Sequence, residues 1–117
     1  MTMTEAMVAM FKGGGTDAGI RVYPLVAPDA VVRPYIVFQR ITANDENVLA
    51  GSSTLFNTRM QIDCYADTYA GVINLAAQID ALMNTWVNQN VSLGAQDLYE
   101  SDVKLYRIQV DYSIWHT

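Results

Sequence analysis

The sequence of 117 residues contains one cysteine and one histidine, and each scarcity closes off a class of chemistry. A lone Cys64 cannot form a disulfide within the chain, so a crosslinked secreted scaffold is not expected and a reduced intracellular setting fits. His116 stands beside the carboxyl terminus, leaves no histidine pair for zinc and no placed imidazole base, and reads as a frayed end. Seven basic residues against twelve acidic ones give a formal charge of -5, which argues against a phosphate-binding groove. The bases are scattered with no basic-aromatic run, so nucleic-acid binding has no support. No apolar run is long enough to cross a bilayer, and residues 1–10 carry neither a basic leader nor a cleavage pattern. Neither a membrane span nor standard secretion is expected.

Patterns of catalysis are missing as well. Cys64 has no base on its own strand face, and Ser52 and Ser53 after Gly51 do not make a Gly-x-Ser-x-Gly turn. Gly13-Gly14-Gly15-Thr16 lacks the lysine and the spacing of a P-loop. Asp97, Glu100 and Asp102, near Tyr99, lack the alternate-position oxygens and the glycine turn of a calcium loop, and read as a solvated turn. The expectation is a chain that is not an enzyme, with no catalytic residue, no metal site and no cofactor.

What is present is a folding composition, 51% hydrophobic and 16% charged, at the size of one domain. Thr2 and Glu5 have capping-box spacing ahead of Met7, Met10 and Phe11, which predicts a short helix over 1–12. The glycines that follow predict a flexible hinge over 13–20, and an α+β core fills 21–117. Pro24 and Pro28 make Arg21–Pro28 an extended strap along a solvent edge. Pro34–Ile41 reads as a strand, and Thr42–Ser53 as a long polar loop suited to binding. Thr54–Tyr65 reads as the next strand. Asp67 or Thr68 then caps a helix whose stripe Val72, Leu75, Ala76, Ile79, Leu82, Met83 and Trp86 packs on the sheet. Val87–Leu93 is a weak strand before a turn at Gly94, and Val103–Trp115 is a long terminal strand. The order implies a single α+β domain, a mostly antiparallel sheet with helices on one face.

Two of these strands share a pattern, Arg59-Met60-Gln61-Ile62-Asp63 and Arg107-Ile108-Gln109-Val110-Asp111. Strand alternation puts the polar members of each on one face. If Gln61 sits opposite Gln109 in an antiparallel pair, Arg59 faces Asp111 and Asp63 faces Arg107. The result is an ordered polar face opposite the core, suited to meeting another protein surface.

The succession Arg21–Pro28, Pro34–Arg40, Gly51 and Gln61-Ile62-Asp63-Cys64-Tyr65-Ala66 leading into a helix resembles the tail completion proteins of long-tailed bacteriophages and prophages, also called tail terminators or tail-to-head joining proteins. The resemblance spans nearly the whole chain and lies in the order of its pieces. It implies a structural virion protein with no catalysis. Such a protein caps the tail tube as a ring, commonly of six copies, and docks it to the head-side connector. The implied partners are other copies of the chain, a tail tube protein and a head-tail connector protein, with DNA passing through the lumen unbound. The implied location is the head-proximal end of the virion tail, after assembly in the host cytoplasm. A ring needs two different patches on each subunit. The candidates are Arg59, Gln61, Asp63, Arg107, Gln109 and Asp111, with the loop residues Asn44, Asp45, Glu46, Asn47, Leu49 and Gly51. Three other readings stay open from the residues alone: a head-closure or neck adaptor, a small-ligand-binding domain with its pocket at the sheet face, and a small hydrolase.

Overall fold

A computed structural model describes residues 2–45 and 56–117, so Glu46, Asn47, Leu49 and Gly51 lie outside the described residues. Helix α1 spans Met3–Gly13, and its start is the reciprocal cap read from the sequence, with the Thr2 hydroxyl accepting from the Glu5 N–H and Glu5 accepting from the Thr2 N–H. Its buried residues are Met7 and Phe11, one turn apart, so a single stripe faces the core. The segment after it is tied to the second helix: the Asp17 N–H donates to Gln78 Oε1 at 2.8 Å.

Strand β1 (Val22–Pro24) lies at one edge and pairs parallel with β2 (Tyr35–Asp45). The proline pattern is obeyed, since Pro24 ends a three-residue edge strand. β2 pairs antiparallel with β3 (Phe56–Ala66), through a bulge between Arg40 and Thr42. Thr42–Asp45, expected in a loop, extend β2 and pair with Arg59, Thr58, Asn57 and Phe56. The strand outruns its apolar stretch because its partner supplies a ladder of backbone hydrogen bonds to continue on.

Helix α2 (Tyr69–Thr85) is capped by Thr68, whose hydroxyl accepts from the Gly71 N–H. Val72, Leu75, Ile79 and Met83 are its buried residues, and Ala76, Leu82 and Trp86 pack against the same core. β4 (Asn90–Glu100) and β5 (Leu105–His116) then complete a sheet of order β1-β2-β3-β5-β4. The fold is α+β, a five-stranded and mostly antiparallel sheet with both helices on one face. Between helices and sheet lie Ile36, Met60, Ile62, Cys64, Tyr112 and Ile114, all essentially fully buried and each contributing roughly 1.5–3 kcal/mol where the side chain is large and apolar.

The turn expected at Gly94 is not a turn. β4 runs through it with a bulge between Ser92 and Gly94, and the φ of +139° at Gly94 is one that glycine tolerates. Asp97 and Glu100, read as a solvated turn, are strand residues; of that group Asp102 alone lies in the β4–β5 turn. His116 is likewise no frayed end: its Nε2 lies 2.8 Å from Thr58 Oγ1 and its ring stacks on Phe56.

Candidate functional site

The two patterned strands are neighbours and antiparallel, β3 against β5. Their register differs from the expected one by two residues: Gln61 is opposite Asp111 and Asp63 opposite Gln109, with Tyr65 opposite Arg107. A slip of two leaves every side chain on its expected face, because the strand period is two. The expected ion pairs form all the same, as diagonals. Arg59 reaches Asp111 at 3.1 Å and Arg107 reaches Asp63 at 3.2 Å. Long side chains span a diagonal without difficulty, so charge matching fixes the partners while leaving two registers open. The observed register also joins Asn57 to Ser113, and Thr58 to His116.

Arg107 is the hub of this face. Its Nε and Nη2 donate to Asp63 Oδ1, its Nη1 donates to Glu100 Oε1 at 2.8 Å, and Nη2 also reaches Gln109 Oε1. The guanidinium lies 5.6 Å from the centre of the Tyr65 ring, which stacks on Tyr35 at 4.8 Å. Asp63 is only 4% exposed and accepts a further hydrogen bond from Gln61 Nε2. A carboxylate this buried needs a paired cation, and Arg107 is that cation. Charge on the polar face is therefore spent inside the sheet. Among the described residues, one buried acceptor here has no partner, Asp111 Oδ1, beside a shallow hollow lined by Gly94, Gln96 and Gln109.

Of the other residues singled out from the sequence, Asn44 and Asp45 sit at the far end of β2, paired with Asn57 and Phe56. The sequence reading missed Glu100, the second carboxylate on Arg107. Its signal was the alternation of Gln96, Leu98 and Glu100, which the supposed turn at Gly94 hid.

The remaining titratable groups describe packing. Burial, then the nearby Asp63 carboxylate, pushes the Cys64 thiol up to about 12. Burial, then Asp80, raises Tyr112, whose hydroxyl donates to Asp80 Oδ1. Among the described residues, no three histidine, cysteine or acidic side chains gather as a metal site, and no helix is long and apolar enough to cross a membrane.

This geometry can be set beside known proteins. A chain in the virion of a native gene transfer agent particle shares the fold with a TM-score of 0.60, at 14% identity, covering 93% of this chain and 82% of that one. At that identity the likeness speaks for the fold alone. No curated protein matches the sequence significantly. The profile of the tail completion protein gp17 family matches residues 4–117, so the chain belongs to that family.

Proposed function

We propose that this chain closes the head-proximal end of a phage-type tail tube as a ring of copies, commonly six, and joins the tube to the head-side connector. It does so without making or breaking a bond in any substrate. The observation that carries the reading is family membership over residues 4–117. The fold shared with a chain of a gene transfer agent virion agrees with it.

The molecule has the physical character this task requires. Docking needs preformed surfaces, and the ion-paired face of β3 and β5 is held in place by its own hydrogen bonds before any partner arrives. With Arg59, Asp63, Arg107 and Asp111 already paired, a partner meets a near-neutral face, where the amides of Gln61, Gln96 and Gln109 supply the hydrogen bonds. Asn44 and Asp45 stand at the end of the long β2–β3 ladder, which helps stretch the molecule to 51 × 25 × 24 Å, and we place contact with the tube or connector there. The formal charge of -5 suits a lumen through which DNA moves without sticking.

An add-back assay tests this. Tails made without the protein are mixed with filled heads, and joined particles are counted in micrographs with and without purified chain. Joining that depends on the chain, with the chain retained on tubes before heads are added, is the expected result. Binding to heads but not to tubes would favour the neck-adaptor reading, and joining that is indifferent to the chain would overturn both.

A further inference from the structure

The helix layer does not cover the whole sheet. α2 packs on β3 and β5, while α1 sits beside it against β1, so the edge strand β4 meets the helix layer through side chains, with Tyr69 donating to Asp97 Oδ2 and Asn90 to the Met83 carbonyl, and is not packed beneath a helix of its own. On that side β4 presents Asn90, Ser92, Ala95, Asp97 and Tyr99, the residues paired with the core-facing row of β5. Between α2 and β4 runs a groove of about 410 Å³ lined by Ile73, Ala76, Ala77, Ala95, Ile108 and Val110. Among the described residues its charged lining ones are both acidic, Asp80 and Asp97, which accept hydrogen bonds from the Tyr112 and Tyr69 hydroxyls. Small side chains on both walls let a helix approach to the 8–10 Å typical of packed helices.

The opposite edge of the same molecule carries a matching shape. The outer line of α1 is Glu5, Ala9 and Lys12, all exposed, with the small Ala9 at its centre. Beside it lies a trough of about 510 Å³ lined by Val8, Val22, Pro24 and Phe38. β1 cannot extend a sheet into a neighbour, being three residues long and ending in proline. Contact at that edge therefore falls to the helix.

We propose that α1 of one copy packs into the α2–β4 groove of the next, so that each subunit supplies a helix to the part of its neighbour's sheet on which α2 does not pack. Charge complementarity selects a second copy and its orientation, setting Lys12 against Asp80 and Asp97 and turning Glu5 away from them. The two patches lie on opposite edges and differ, so the contact is head-to-tail and repeats around a ring. Self-pairing of two β4 edges would instead bring Asp97 toward Asp97 when centred there, and would stop at a dimer.

The inference rests on the ring reading, and the test separates the two. Ala9 and Ala95 are both exposed, and Cys64 is buried with a raised thiol, so an Ala9→Cys, Ala95→Cys double variant reports the contact with little background. In capped tails treated with a short bis-maleimide, the double variant gives a ladder ending at the ring size and neither single variant does. Dimers from Ala95→Cys alone would overturn the proposal in favour of edge pairing. Micrographs showing rings with no ladder would overturn the contact and leave the ring standing; micrographs showing no ring would overturn both. As a second readout, Lys12→Glu or Asp97→Lys alone lowers the yield of capped tails about tenfold and the pair restores it. Additive loss in the pair would count against the proposal.

Discussion

Arg107 shows how much one side chain decides on this sheet. It neutralises Asp63, a carboxylate 4% exposed, so its removal strands a charge in a place water hardly reaches. Arg107→Met is expected to cost about 3 kcal/mol in urea unfolding, and adding Asp63→Asn to recover more than half of that. If the single variant unfolds like the parent, the hub role is wrong. Cys64 makes a second prediction at this scale. Its thiol, pushed up to about 12 by burial and by Asp63, stays protonated at pH 8 and should react with a thiol reagent only as the chain opens. Labelling in the folded state at the rate seen in denaturant would contradict the burial. Asp63 and Cys64 were legible as facing opposite sides of one strand, because alternation is a period that sequence displays directly. The near-total burial of Asp63 was not, because it depends on which neighbour covers it.

At the scale of elements, three readings made from local spacing hold in the structure. The α1 cap, the stripe of α2 and the edge position of the proline-bearing strand each follow from spacing within a few residues. The α1 cap carries a pH dependence. The Thr2 backbone N–H, and then its hydroxyl, hold the Glu5 carboxyl below its ordinary value. The contribution is therefore present above the ordinary glutamate range and is lost as pH falls through the lowered value. Amide exchange in the first turn of α1 should quicken over that acid window, and Glu5→Ala should abolish the dependence. Gly14 is a matter of room: a Cβ there would stand 2.5 Å from Leu82 Cδ1 and 2.8 Å from the Met10 carbonyl, so Gly14→Ala should push α1 off α2 at a cost of about 1–3 kcal/mol, read by thermal unfolding. What escaped the sequence were features set by pairing. The register of β3 on β5 is decided by contacts at both ends of the ladder, and Gly94 looks the same in a turn and in a bulge. Lys104 holds φ at +56° in the β4–β5 turn, a conformation suited to glycine, so Lys104→Gly should stabilise the fold by about 1 kcal/mol.

For the whole molecule, the sheet order leaves two unlike edges, a short proline-ended one beside α1 and a long one at β4. Two unlike edges are what the proposed head-to-tail ring requires. The order of elements already pointed to the family. The groove between α2 and β4 could not be read in advance, since it arises from where α2 stops relative to a strand added after it. The most direct measurement is cryo-electron microscopy of assembled tails carrying a tagged copy of this chain. The account predicts one ring of tagged subunits at the head-proximal end of each tube. Tag density spread along the tube, at the far end, or absent from mature particles would contradict it.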